Sequence, residues 1–303
     1  MTFLSVLLAL FVERMLPQYR PRRLHGWFTG YCRHLTAVGF THWLISRPWG
    51  VAAVLLPPLL LIAWLQAFFA GLGTLLPVVF GIAVLSYSLG PRELSEEVEA
   101  YLAARDAGLD ERADELAQAL SLFDAPRTEP RRSLAVAHAV VVLAARRLVA
   151  PIFWFVILGP VGAAAYRCIV LLTEHLQSGK CPGEMQQYGE ELRRVAEWAP
   201  ARMTAAGYAI AGNFDAVAHA WRTHVDTAGG THLTEAEHLL ANTGLAALDT
   251  FPDDADALDD AAAGLPDTTP PPPVVEDALA LVWRSLAVWM AVIAGGSLVA
   301  ALA

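Results

Sequence analysis

The sequence predicts an all-α, polytopic membrane helix bundle with about four spans, a re-entrant hairpin and cytoplasmic amphipathic helices. Composition is the first observation that predicts this class. The chain is 55% hydrophobic and 17% charged, whereas a typical soluble domain has about 25% charged residues. The second observation is that the apolar residues form uncharged runs of the length that crosses a hydrocarbon core. No period-two alternation typical of β-strands persists along the chain.

Four runs are predicted to cross the membrane. Residues 50–70, 75–89 and 285–303 contain no charged side chain, although the second run is short. Residues 2–16 are predicted to form a retained first helix, because a secretory signal would need a basic start and a small-residue cleavage site. That helix ends in a charged pair that begins with Glu13. An ionisable group near the membrane interior is a candidate functional site, and an anchor at the lipid headgroups is the alternative.

The positions of the basic residues predict the orientation. The chain has 21 Lys and Arg residues, and none lies within the first 12 residues, the three uncharged runs or the connector at 71–74. Loops that carry Lys and Arg remain in the cytoplasm. Both termini are therefore predicted to lie in the periplasm, with the long basic loops in the cytoplasm. The lipid bilayer is the first predicted partner.

The apolar stretch at 135–172 is predicted to form a re-entrant membrane hairpin. Arg146 lies near its middle, and Gly159 and Pro160 interrupt its second half. A single crossing would place the basic residues that follow it outside the cell, against the positive-inside pattern. A hairpin that turns at Gly159 avoids this, and non-helical backbone is tolerated at membrane depth where protein buries it. A single span is the alternative.

The remaining segments are predicted to be helical and cytoplasmic or interfacial. Basic and aromatic residues are interleaved at 20–48, which is typical of an amphipathic helix at the lipid headgroups, with an anion-binding surface as the alternative.

The sequence predicts a division of the whole chain into six segments. They are the first three spans at 1–90, a cytoplasmic helical loop at 91–134, the hairpin at 135–172, cytoplasmic and interfacial helices at 173–252, an acidic proline-rich linker at 253–275 and the last span at 276–303.

The sequence holds no complete catalytic or cofactor motif. Phosphate-binding glycine loops, HExxH and GxSxG are missing, and the three cysteines form no CxxC pair. No catalytic residue, cofactor or metal ligand is therefore predicted. The net charge of −9 argues against a nucleic-acid partner.

Polar residues at the inner ends of the predicted membrane elements are candidates for binding a small anion. Arginine side chains near helix termini suit phosphate and carboxylate groups. Internal ion pairs, such as Glu13 with Arg167, are the alternative. The candidate residues are Glu13, Arg22, His25, Tyr166, Arg167 and Arg202.

Three stretches of the sequence carry a resemblance to a known family. They are LLALFVERML at 7–16, APIFWFVILGPVGAAAYR at 150–167 and AEWAPARMTAAGYAIAGNFDAVAHAW at 196–221, and the Trp-x-Pro-x-Arg pattern ending at Arg202 is the most specific. Together they resemble AmpE, a bacterial inner-membrane protein linked to β-lactamase induction. The resemblance implies a multi-pass inner-membrane regulator that acts in connection with peptidoglycan-fragment recycling. A cytosolic partner of cell-wall recycling and an oligomer are both compatible with it.

AmpE is similar in turn to CobD and CbiB, the membrane synthetases of cobalamin biosynthesis. That similarity implies an alternative function, a nucleotide-dependent enzyme that forms an amide. In the synthetases an Asn-Thr-Leu-Asp motif follows the segment that resembles 161–167, whereas Cys-Ile-Val-Leu-Leu follows it here. Their early Gly-Asp-Pro motif has no match at 16–26. The sequence therefore favours a regulatory role over an enzymatic one.

Overall fold

The computed structural model describes residues 6–9, 26–37, 49–73, 75–89, 91–122, 124–177, 183–227, 234–248 and 273–302. These ranges consist of helices and short turns without a β-strand, so the predicted all-α class is confirmed. The helices are α1 (Gly26–Ala37), α2 (Trp49–Ala70), α3 (Leu75–Ser88), α4 (Pro91–Asp106), α5 (Asp110–Leu120), α6 (Arg131–Ala144), α7 (Ala150–Gln177), α8 (Gly183–Ala211), α9 (Phe214–Thr227), α10 (Glu235–Ala247) and α11 (Val274–Leu302), with a π-helical segment, Ala145–Val149, between α6 and α7.

Three helical stretches are long and apolar enough to cross a membrane, namely Gly50–Ala70, Arg131–Gln177 and Val274–Val299. Leu75–Ser88 is a shorter apolar helix. These helices confirm the prediction of a membrane protein. The predicted first span at 2–16 lies outside the described residues except for 6–9, so it stays a prediction.

The chain divides into two compact units. Unit 1 comprises Met1–Gly90 and Ala150–Trp198, and unit 2 comprises Pro91–Val149 and Ala199–Ala303. The predicted segment at 135–172 is therefore divided at residue 149. Its first part belongs to unit 2, and only its second part belongs to unit 1.

In unit 1, α7 reverses direction at Gly159. This glycine has φ 68° and ψ −157°, a backbone conformation that residues other than glycine rarely adopt, and Pro160 follows it. A Cβ at Gly162 would overlap the carbonyl oxygen of Trp154. These two residues would lie about 12 Å apart in a straight helix, so the two arms of α7 fold back on each other. The location of this hairpin within a membrane stays a prediction.

The second arm of α7 runs antiparallel to α2. Val54 and Leu171 pack in one cluster near the start of α2. Near the other end, a Cβ at Gly159 would lie 3.6 Å from the side-chain nitrogen of Gln66. The first part of α8 lies against the same arm, and a Cβ at Gly189 would lie 3.4 Å from the side chain of Thr173. Unit 1 is thus a bundle of α1, α2, α3, α7 and the start of α8.

In unit 2, α6 is the central helix. Every residue from Arg132 to Ala145 is buried, and the packing partners of α6 are α4, α5, α10 and α11. The closest approach is between α6 and α10, where a Cβ at Gly244 would lie 2.8 Å from Cβ of Val141. Protein packing therefore buries the apolar side chains of 135–145, and the location of this stretch relative to a membrane stays a prediction. An apolar run alone does not distinguish a helix buried in protein from one buried in lipid.

The start of α10 forms a capping box at Thr234. Its side chain accepts a hydrogen bond from the backbone N–H of Glu237, and its own N–H donates to the Glu237 carboxylate at 2.6 Å. This reciprocal pair fixes the first turn of α10. It also fixes the Glu237 side chain, which belongs to the site described below.

Candidate functional site

The six residues predicted to bind an anion are distributed over three parts of the chain. Glu13, Arg22 and His25 lie outside the residues for which side chains are described. Tyr166 and Arg167 belong to unit 1, and Arg202 belongs to unit 2. The predicted convergence of all six therefore stays a prediction, and each unit is described by itself below.

In unit 1, Tyr166 lies where the two arms of α7 meet α8. Its side chain is 2% exposed and packs with Ala150 of the first arm and Ala196 of α8. The indole N–H of Trp154 donates a hydrogen bond of 3.0 Å to the carbonyl oxygen of Ala196. Small residues at 150 and 196 permit this close approach. Together these contacts make a tightly packed centre within unit 1.

An ion pair lies on the inner face of α8 in the same region. The guanidinium Nε of Arg193 is 3.4 Å from the carboxylate of Glu197, and the two side chains are 13% and 5% exposed. Arg193 lies between Gly189, which faces Thr173, and Ala196, which faces Tyr166. A buried charge of this kind needs a paired partner to offset its desolvation.

Sequence reasoning did not find this pair. The spacing of four residues between Arg193 and Glu197 is the signal that could have indicated an ion pair. The sequence alone did not indicate that this side of α8 faces α7. In the structure the apolar Val195 and Trp198 are 70% and 53% exposed and share the outer face with charged residues such as Arg194.

In unit 2, Arg202 pairs with the first residue of α10. Its guanidinium Nη2 lies 2.8 Å from the carboxylate of Glu235, and the two side chains are 30% and 46% exposed. Pro200 lies within α8 just before Arg202, and its carbonyl accepts the Thr204 hydroxyl at 2.8 Å. The predicted site residue Arg202 therefore has a carboxylate partner that is accessible to solvent.

The π-helical segment carries two further arginines with carboxylate partners. Arg146 pairs with Glu237 of α10, and Arg147 lies 3.0 Å from Glu97 of α4. Glu237 therefore uses one carboxylate oxygen for Arg146 and the other for the N–H of Thr234. Two arginines of unit 2, Arg146 and Arg202, are thus held by the first turn of α10.

A buried tyrosine supports the start of the π-helical segment. The backbone N–H of Ala145 bonds to the carbonyl of Val142, three residues earlier. The carbonyl of Val141 accepts a 2.7 Å hydrogen bond from the hydroxyl of Tyr208, which is 1% exposed. Tyr208 thereby satisfies a buried carbonyl next to the irregular turn. π-Helical turns of this kind occur often at functional sites.

A third cluster in unit 2 surrounds Arg132. This side chain is 2% exposed and contacts Asp114 at 2.6 Å, Asp110 at 3.1 Å and Glu129 at 3.1 Å. Tyr101 donates to Glu129 at 2.9 Å, and burial raises the pKa of the Tyr101 hydroxyl to about 12, so it stays protonated. Each guanidinium nitrogen has an acidic partner. The cluster joins α5 to α6 and has a structural role.

One histidine of unit 2, His238 of α10, lies next to Glu237. Burial lowers the pKa of His238, although the neighbouring Glu237 carboxylate opposes the shift. The side chain is therefore neutral near pH 7. Within the described ranges, no group of three or more His, Cys, Asp or Glu side chains is arranged to hold a metal ion.

These observations define the class of protein as an all-helical membrane protein whose described ion pairs join arginine to carboxylate side chains. Residues 1–239 match the family model described as "Regulatory signalling modulator protein AmpE". The chain therefore belongs to the AmpE family, and the resemblance given by its sequence stretches is confirmed.

One curated relative extends the comparison to almost the whole chain. The chain is 28% identical over 316 residues to "Cobalamin biosynthesis protein CobD" of Stutzerimonas stutzeri (strain A1501), and the match covers 97% of each chain. The predicted similarity to the cobalamin proteins is thereby confirmed as a distant one. No solved structure matches the chain.

Proposed function

We propose that this protein is a multi-pass inner-membrane regulator that modulates β-lactamase induction in connection with peptidoglycan-fragment recycling. The observation that carries the proposal is the family match over residues 1–239. That range includes the Gly159 hairpin and the Arg202–Glu235 pair. In this proposal both termini lie in the periplasm, and the arginine–carboxylate pairs of unit 2 face the cytoplasm.

The proposed input is a small anionic ligand that binds Arg202. An ion pair between partly exposed side chains is worth less than about 1 kcal/mol, so a ligand carboxylate or phosphate can compete with Glu235 for the guanidinium. Arginine binds such groups with two parallel hydrogen bonds. The proposed output is an interaction with a cytosolic protein of cell-wall recycling.

Arg202→Ala tests this input. We expect the variant to abolish the effect of the protein on β-lactamase induction while the protein accumulates at its normal level. The measurement is β-lactamase activity after exposure to a sub-inhibitory β-lactam, in a strain that carries only the variant copy, with immunoblotting for protein level. Arg112→Ala is the matched control, because Arg112 forms an exposed pair with Glu115 at 2.7 Å on α5.

Glu235→Gln tests the same site in the opposite direction. This change removes the competing carboxylate and leaves Arg202 in place, so anion binding becomes stronger. We expect the induction response to move to a lower inducer concentration. An Arg202→Ala variant that fails to accumulate, together with a silent Glu235→Gln variant, would show that the pair is only structural.

A second candidate function is a nucleotide-dependent, amide-forming synthetase. The identity of 28% over 97% of both chains with CobD favours it. The test is expression of this protein in a bacterium that lacks its own CobD and depends on making cobalamin. We expect no growth, because Cys168 begins the segment that replaces the motif retained by the synthetases. Growth would make the enzymatic function the better proposal.

A further inference from the structure

The outer face of α8 in unit 1 carries charged side chains beside the apolar Val195 and Trp198, at a depth where the exposed side chains of α2 are apolar. Depth follows from the pairing of helices within the unit. Val54 and Leu171 belong to one packed cluster near the start of α2, and the side chain of Gln66 lies near Gly159 towards the other end. The second arm of α7 therefore runs antiparallel to α2 over this length.

The same arrangement gives the depth of α8. Ala196 packs in one cluster with Tyr166 of α7, and in this antiparallel arrangement Tyr166 lies at about the level of Leu59 of α2. Since an α-helix rises 1.5 Å per residue, Leu59 lies about 13 Å beyond Gly50, where the apolar stretch begins. A hydrocarbon core is about 30 Å thick. The segment of α8 around Ala196 therefore lies well inside the thickness of the span.

The two helices expose different chemistry at this depth. On α2 the exposed side chains are apolar, with Leu56 52% exposed and Leu60 63% exposed. On α8 the exposed residues include Glu191 and Arg194 next to Val195. A charged side chain in hydrocarbon is strongly unfavourable unless it is paired or reaches water. Lipid is therefore a favourable neighbour for α2 and an unfavourable one for α8.

The inner face of α8 adds a second, independent observation. Arg193 and Glu197 form an ion pair there at the same depth, next to the buried Tyr166. Ionisable groups at membrane depth face the interior of a bundle or a water-filled cavity. This segment of α8 therefore has paired charges on its inner face and exposed charges on its outer face. The exposed charges indicate that the medium outside the helix is polar.

We propose that residues 190–198 of α8 face water within the thickness of the membrane. Small, charged, water-soluble molecules reach this face, and lipid chains do not. The flank of the Arg193–Glu197 pair is then open to solutes of the aqueous phase. This inference concerns unit 1 alone and does not depend on the proposed regulatory function or on the side of the membrane that the loops occupy.

Thiol labelling in opened native membranes tests the proposal. Val195→Cys and Trp198→Cys place thiols on the outer face of α8, and Leu56→Cys and Leu60→Cys are matched controls at equivalent depth on α2. Cys32 and Cys168 are buried, so the background needs only Cys181→Ala. The reagent is a membrane-impermeant, positively charged methanethiosulfonate, and intact-protein mass spectrometry measures the fraction labelled over time.

We expect the α8 thiols to react at least about tenfold faster than the α2 thiols, because the reactive thiolate does not form in hydrocarbon. All four variants should react equally after denaturation. Equal, slow reaction of all four in the folded protein would overturn the proposal, since lipid or another chain would then cover α8. Equal, fast reaction would also overturn it, since the exposed face of α2 would then be in water.

Discussion

Two helices with apolar runs, α2 in unit 1 and α6 in unit 2, are used differently. Only 22% of the most apolar window of Gly50–Ala70 is buried, whereas every residue of α6 from Arg132 to Ala144 is buried. On α2, leucines such as Leu60 are exposed, whereas Leu134 on α6 is fully buried. A high hydropathy therefore indicates that a segment is removed from water. It does not distinguish burial in lipid from burial in protein, which only the packing of the helix shows.

The largest expected effect that tests this comparison comes from Leu134→Ala. The change leaves a cavity in the centre of unit 2, and we expect it to lower the free energy of unfolding by about 3 kcal/mol. Leu60→Ala on α2 is the matched control and should cost less than about 0.5 kcal/mol, because its side chain is already exposed. Chemical denaturation of the detergent-purified protein measures both. Similar costs at both positions would contradict the distinction.

A smaller effect is expected from Gly162→Ala in the hairpin of α7. The added Cβ would overlap the carbonyl oxygen of Trp154, and we expect a loss of about 2 kcal/mol from overpacking. Gly295→Ala is the matched control, since a Cβ there has no neighbour within 4 Å. That control should be neutral or slightly stabilising because Ala favours a helix. If both variants behave alike in thermal denaturation, the two arms of α7 are not in close contact.

Tyr208→Phe should have a smaller effect still. It removes the hydrogen bond to the carbonyl of Val141 and leaves that buried acceptor unsatisfied, so we expect a loss of about 1–2 kcal/mol. The phenyl ring retains the packing. Tyr188→Phe, at an exposed site of α8, is the control and should leave the unfolding midpoint unchanged. An unchanged midpoint for both would show that the hydroxyl of Tyr208 does not support α6.

The smallest predicted effect is a pH dependence in unit 2. Burial alone would raise the pKa of Glu129, but hydrogen bonds from Ser133, Tyr101 and Arg132 outweigh it, so the pKa lies below its ordinary value of 4.5. A carboxyl with a lowered pKa stabilises the fold above its ordinary pKa and loses this effect as the pH falls. We expect wild type to lose stability below about pH 4.5 more steeply than Glu129→Gln. Equal slopes in acid denaturation would contradict this.

The sequence predicted the elements that depend on local pattern. The uncharged run at 50–70 predicted α2. The sequence also predicted that the helical backbone is interrupted at Gly159 of α7. Each of these depends on residues a few positions apart, whose physical effect is visible without the fold.

The sequence could not predict features that depend on distant contacts. Glu237 and Arg146 are 91 residues apart, and nothing in the neighbourhood of either indicates the other. The burial of Arg193 depends on which face of α8 meets α7, and that contact is made by residues distant in sequence. The division of 135–172 between two units likewise depends on helices that cover α6 from elsewhere in the chain.

The π-helical segment at Ala145–Val149 has a consequence for the alignment of relatives. A π-turn contains one residue more than an α-turn, so the side chains after it are rotated by about 100° from where a regular helix would carry them. A helical wheel drawn through the whole apolar run would therefore place the side chains after Val149, such as Phe155 and Ile157, about 100° from their true directions. A single-residue gap near position 147 in a relative would then mark a regular helix there, with no element lost.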